Sequence, residues 1–194
     1  MSHTRTAVLL IDAQQSFEHR PYWSQSDAPV FLDRVQALVD GAKTRRIPIV
    51  QIFHVEESGP FSLASGYVKT LAGLSIAPDA VFHKHRHSAL VGSGLSIWLT
   101  ENGVQRLIIS GIRTEQCCET TTRHASDSGY RVDFVSEATL TFAMTDRHGR
   151  QWSAADIKAR TELVLDGRFA HVLTVAQALA AADEAARGAG RQAA

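Results

Sequence analysis

"VQRLIISG" (104–111) runs directly into "IRTEQCCETTTRHA" (112–125), and the join between the two decides the fold. The first stretch is a short aliphatic run closed by glycine, which reads as a buried strand. The second carries Thr114, a good N-cap candidate, ahead of a helix-like pattern. A strand that feeds a helix returns through a crossover, and crossovers join parallel strands.

The same alternation extends in both directions. "TAVLLID" (6–12) reads as a buried strand, and "PVFLDRVQALVDGAKTRR" (29–46) as an amphipathic helix with Phe31, Val35, Leu38, Val39 and Ala42 on one face. "IPIVQIFHV" (47–55) and "AVFH" (80–83) are strands. "SALVGSGLSIWLTENG" (88–103) is a predicted helix, capped by Ser88 and closed by Gly103. "YRVDFVS" (130–136) is the next strand, and "SAADIKARTELVLDG" (153–167) is a helix with Ser153 as N-cap. "AHVLTVAQALAAADEAARG" (170–188) supplies a last strand and a terminal helix. The pattern predicts an α/β three-layer sandwich: a Rossmann-like, mostly parallel six-stranded sheet with helices on both faces.

The 194 residues fit one domain, here expected over 1–186, with "RGAGRQAA" (187–194) as a flexible tail. Apolar residues make up 44% of the chain, and 20 Lys and Arg balance 20 Asp and Glu, an ordinary globular composition. The even charge removes the basic stripe that a nucleic-acid binder needs, since "KTRR" (43–46) and "HKHR" (83–86) are short. The apolar run in "MSHTRTAVLLID" is too short for a signal peptide or membrane span, so the sequence is read as cytoplasmic, with no membrane partner. Its only two cysteines are adjacent, and neighbouring Cα atoms lie about 3.8 Å apart, below the usual bridging distance. Each thiol is therefore either a small apolar filler or a reactive group. The irregular stretches 13–28, 56–79 and 138–152 are long enough to be lids or binding loops; Tyr22, Trp23 and Phe61 on them suit a lid or a subunit contact.

Three polar residues need explaining. Asp12 ends a wholly apolar strand at its carboxyl end, where ligands bind in open α/β sheets, although a turn cap is the plainer reading. Lys84 follows the third strand and lands on the same edge; as an ordinary lysine it would be solvated. His83, His85 and His87 alternate around it and could share one face as zinc ligands. A helix starting at Ser88 would break that alternation, and no metal is expected. Cys117 lies three residues past Thr114, in the first turn of a helix, where the dipole and free N–H groups should lower its pKa. Cys118 points elsewhere and reads as a buried filler. An acid, an ammonium and a thiol on one sheet edge make a nucleophile with its activators.

On these residues the chain resembles the isochorismatase-like hydrolases, the cysteine hydrolase superfamily. The likeness spans roughly residues 5–145 and rests on "LLIDAQQSF" (9–17), "KHRHSAL" (84–90) and "SGIRTEQCCETTTRHASDSGY" (110–130). It implies a catalytic triad of Asp12, Lys84 and Cys117, a cis peptide between Ile112 and Arg113, and an oxyanion hole from the N–H groups of Arg113 and Cys117. For the last, Thr114 should cap through the Gln116 N–H and leave that of Cys117 free. Asp12 would take the thiol proton, feed it to the leaving amine, and afterwards activate water against a thioester. Gln14, Phe17 and His54 are expected to line the substrate pocket, with a structural histidine as the alternative for His54.

Nicotinamidases of this family carry an Asp-x-His metal pair after the second strand; "VQIFHVEESG" (50–59) has none, which argues against a metal-dependent nicotinamidase. Members that cleave isochorismate act on a vinyl ether without needing the cysteine, so Cys117 favours acyl chemistry on a small amide, ureido or carbamoyl compound. Arg113 and Cys118 depart from the small or aliphatic residues common at their positions. No cofactor is expected, and the resemblance suggests a homodimer or homotetramer. Two rivals stand beside this reading: a non-covalent vinyl ether hydrolase, and a non-enzymatic thiol redox sensor, which would need neither Asp12 nor Lys84.

Overall fold

The computed structural model describes residues 6–23 and 26–192. Six strands form one parallel sheet: β1 (Thr6–Ile11), β2 (Ile49–His54), β3 (Ala80–Lys84), β4 (Arg106–Ile112), β5 (Arg131–Leu140) and a short last strand (His171–Val172), in the order β3-β2-β1-β4-β5-last. The two strands between β5 and the last, β6 (Met144–Thr145) and β7 (Gln151–Trp152), form a separate antiparallel hairpin, so the last strand is β8. The order reverses between β1 and β4, which puts the sheet's switch point between the strands that carry Asp12 and the cysteines.

Alternating side chains of β1 show the three layers. Val8 and Leu10 join a core with α1 (Ala28–Thr44) and α5 (Val175–Gln192) on one face. Ala7, Leu9 and Ile11 join a second core with α2 (Leu95–Glu101) and α3 (Glu119–Asp127) on the other, to which α4 (Ala154–Leu165) adds Leu165. Successive strand residues point to opposite faces, so a strand buried on both sides reads as a continuous apolar run. The face of α1 toward the core is the predicted one, with Phe31, Val35, Leu38, Val39 and Ala42 all buried.

Three boundaries differ from the sequence reading. Helix α2 begins at Leu95 and not at Ser88, because Gly92 and Gly94 both take left-handed backbone angles and the Ser88 hydroxyl is engaged with His124 Nδ1 at 2.9 Å. Strand β5 continues to Leu140, four residues past its predicted end, with a register shift opposite Ile109 and Gly111. The backbone of α5 is helical as far as Gln192, and the remainder of the expected tail lies outside the described residues. Ser153 does cap α4, in a capping box with Asp156. Among the described residues no helix is long and apolar enough to cross a membrane.

Candidate active site

Asp12, Lys84 and Cys117 meet at the carboxyl edge of the sheet. Asp12 leaves β1 in a left-handed conformation (φ +52°), which Asp tolerates better than most residues, and its N–H donates to Ile52 O at 2.8 Å. Lys84 is the last residue of β3, in register with His54 of β2. From this outer strand its side chain reaches past the end of β2. Lys84 is wholly buried, and its ammonium has three neighbours: Asp12 Oδ2 at 2.8 Å, Cys117 Sγ at 3.2 Å and His54 Nδ1 at 3.0 Å. An ammonium has three donors, so this one is filled.

Cys117 is delivered by β4. The Ile112–Arg113 peptide is cis, and the chain then makes a π turn over Thr114–Cys118 before α3 begins. The N–H groups of Gln116 and Cys118 both donate to Arg113 O at 3.2 Å. Thr114 is not the cap that the sequence suggested. Its hydroxyl is buried against β5, donating to Thr139 Oγ1 at 2.8 Å, and Arg113 holds the N-cap position. Gly111 explains how β4 comes so close to β1: a Cβ built there would lie 1.8 Å from Ile11 O. No other residue type fits that approach at φ +132°.

The electrostatics reverse one expectation. Burial pushes the Cys117 thiol well up from its ordinary value; the Asp12 charge adds to this, and Lys84 only partly opposes it. Loss of water outweighs the helix terminus that the sequence offered. Burial likewise raises the Asp12 carboxyl, against the pull of Lys84. For Lys84, burial disfavours the ammonium, but the charges of Asp12 and Cys117 outweigh it, and the amine is held above its usual value. The three groups thus hold one cation, one anion and one proton. The raised thiol favours a sulfur that keeps its proton beside the Lys84–Asp12 pair.

The isochorismatase-domain sequence model matches residues 6–177, from β1 into the first turn of α5. The chain belongs to the isochorismatase family. Nicotinamidase 3 of Arabidopsis thaliana is 30% identical over 152 residues, covering 70% of this chain and 73% of that protein. Among solved structures, an isochorismatase-family protein of Chromobacterium violaceum matches with a TM-score of 0.84 and 28% identity, over 94% of this chain and 95% of that one. A cysteine hydrolase of Pseudomonas syringae pv. phaseolicola has the same fold, with a TM-score of 0.85 over 95% of each chain at 22% identity.

As an isochorismatase-family hydrolase, the protein uses its remaining candidate residues unevenly. Gln14 is a structural clamp. Wholly buried, it accepts from the His54 N–H (2.8 Å) and donates to His54 O (3.0 Å) and Ser16 Oγ (2.8 Å), pinning the chain after β1 to the end of β2. Phe17 lies in an aromatic cluster, edge-on to Phe61 at 4.9 Å and 6.3 Å from Phe142, with Tyr22 and Trp23 also against Phe142. His54 is the third acceptor for Lys84. Burial and then the Lys84 charge pull its pKa down to about 4, so it is neutral near pH 7. Because Nδ1 accepts from Lys84, its proton sits on Nε2, 3.8 Å from Glu56 Oε1.

The Arg113 guanidinium pairs with Glu115 at 3.1 Å and lies over the Tyr22 and Phe142 rings at 5.1 and 5.5 Å. Cys118 is wholly buried in the core, as a filler should be. The three alternating histidines part company: His83 sits beside the Phe53 ring, His85 Nδ1 meets Val55 O, and His87 Nδ1 lies 3.7 Å from Cys117 Sγ. Among the described residues no three His, Cys, Asp or Glu side chains gather as a metal site would need. His87 is the contact that the sequence weighed only as a zinc ligand. Its place three residues after Lys84 was the available signal.

Proposed function

We propose that the protein hydrolyses a C–N bond of a small amide, ureido or carbamoyl compound, with Asp12, Lys84 and Cys117 as the catalytic triad and a thioester on Cys117 as intermediate. The observation that carries this reading is the Lys84 ammonium, buried between a carboxylate and a thiol and within hydrogen-bond reach of both. In water-free surroundings an isolated thiolate is costly. Here the proton passes from sulfur to Asp12, which moves the negative charge from one neighbour of Lys84 to another, and the forming C–S bond then hands that charge to the carbonyl oxygen. The proton transfer leaves the net charge of the buried group unchanged, so it creates no unpaired ion.

The carbonyl oxygen becomes an oxyanion during attack, and two backbone donors are assigned to it: the N–H of Arg113, which has no acceptor among the described residues, and that of Cys117 at the sulfur's own residue. Losing one such donor typically costs about 2.7–4 kcal/mol in the transition state. Asp12, now protonated, gives its proton to the departing nitrogen. The likeness to a nicotinamidase supports amide cleavage over vinyl ether cleavage.

The test is a panel of small amides, ureas and carbamoyl compounds assayed for ammonia release, with and without prior alkylation by iodoacetamide. Release that disappears on alkylation and in Cys117→Ala supports the reading. Undiminished release from Cys117→Ala would mean that no thioester lies on the path.

A further inference from the structure

We propose that His87 is a catalytic base for the second half of the reaction, the hydrolysis of the Cys117 thioester. This rests on the thioester reading above and takes from Asp12 the water step that the sequence assigned to it.

Asp12 and Lys84 are wholly buried, and the Lys84 ammonium has no donor left over. Of Asp12, Lys84 and Cys117, only Cys117 keeps any exposed surface, so the sulfur is where water from solvent meets the site. His87 is the titratable group that is both exposed and in contact with the reacting atom: its Nδ1 lies 3.7 Å from Cys117 Sγ. Its ring lies nearly parallel to that of His54, which already binds Lys84, at 13° with centroids 6.4 Å apart. Its other ring nitrogen, Nε2, has no partner among the described residues.

Acylation changes what His87 faces. Once sulfur carries the acyl group it has no proton, and the imidazole lone pair is free beside the thioester. A water oxygen then bonds to the acyl carbon while one of its protons passes to His87. The C–S bond breaks with its electron pair going to sulfur, next to the Lys84 ammonium. The imidazolium returns its proton to that sulfur across the 3.7 Å contact. The free acid leaves, and thiol, carboxylate and neutral imidazole are all restored. Asp12 deals with the proton of the leaving nitrogen in the first half, and His87 with the proton of water in the second. General bases contribute about 10²–10⁴-fold.

Para-nitrophenyl acetate separates the two halves without knowledge of the natural substrate, since nitrophenolate reports acylation and the acetyl group on Cys117 can be followed by intact mass. His87→Gln and His87→Ala should each give a near-wild-type burst and then stall, with acetyl-Cys117 decaying at least tenfold more slowly. Hydroxylamine, which attacks a thioester without base assistance, should discharge wild type and variants at similar rates. Equal decay of acetyl-Cys117 in wild type and variants would overturn the role of His87, as would an equal slowing of burst and decay. A wild-type protein that gives no burst, or one that survives Cys117→Ala, would instead sink the thioester reading, a failure the His87 variants do not mimic.

Discussion

Two buried carboxylates stand at opposite edges of the same sheet, and they are built differently. At the amino edge Asp133, wholly buried in β5, receives both prongs of Arg106, with Nη2 to Oδ1 at 2.8 Å and Nε to Oδ2, and His171 lies 3.6 Å away. Each of its oxygens is engaged by a cation with fixed geometry. At the carboxyl edge Asp12 is equally buried, yet only Oδ2 faces a cation, and Oδ1 has no hydrogen-bond partner among the described residues. Its cation is shared with a sulfur and an imidazole. A closed bidentate pair fixes a charge in place. An open, shared one lets a proton move, which is what separates a strut from a working site.

Substitution at the open site gives the largest effects. Cys117→Ala should remove turnover altogether, and Asp12→Asn should cost about 10²–10⁴-fold in kcat, both read by ammonia release. Asp12→Asn carries a second, opposite signature. The Asp12 charge helps to hold the thiol up, so its loss lowers the Cys117 pKa and speeds alkylation by iodoacetamide near neutral pH. A variant dead in turnover yet faster in alkylation would mark Asp12 as the proton acceptor; slower alkylation would break the comparison.

At the closed site the effect should fall on stability alone. Arg106→Ala strands a buried carboxylate and should cost about 3–5 kcal/mol in urea unfolding, while the para-nitrophenyl acetate burst stays intact. Next comes an effect of pH. His54 is pulled down to about 4 in the folded protein, from an ordinary 6.5, so the folded state resists its protonation. Stability from this group is intact above pH 6.5 and drains away as pH falls toward 4. His54→Asn should therefore lose less urea stability than wild type between pH 7 and pH 5. The smallest effect belongs to Ser153→Ala, remote from both carboxylates, which removes the α4 cap for about 1 kcal/mol and should leave alkylation unchanged.

The meeting of Asp12, Lys84 and Cys117 was legible because apolar runs stop where strands end, and each of the three falls at or just after such a stop. The α/β alternation was legible for the same reason. What stayed hidden depends on distant partners. Ser88 looks like a cap until its hydroxyl is seen on His124, and Thr114 until Thr139 is found behind it. Gln14 looks like a pocket residue because nothing local announces its clamp on His54, 40 residues away. The sign of the Cys117 shift was missed because depth in the molecule outweighs a helix end.

Lys84 has one further consequence. It is anchored on an edge strand of the sheet, whose one ladder neighbour among the described residues is β2. Outer strands peel before inner ones. Low concentrations of urea should therefore withdraw the ammonium and silence the enzyme while the tryptophan signal still reports an intact protein, and amide exchange along Ala80–Lys84 should keep pace with that early loss.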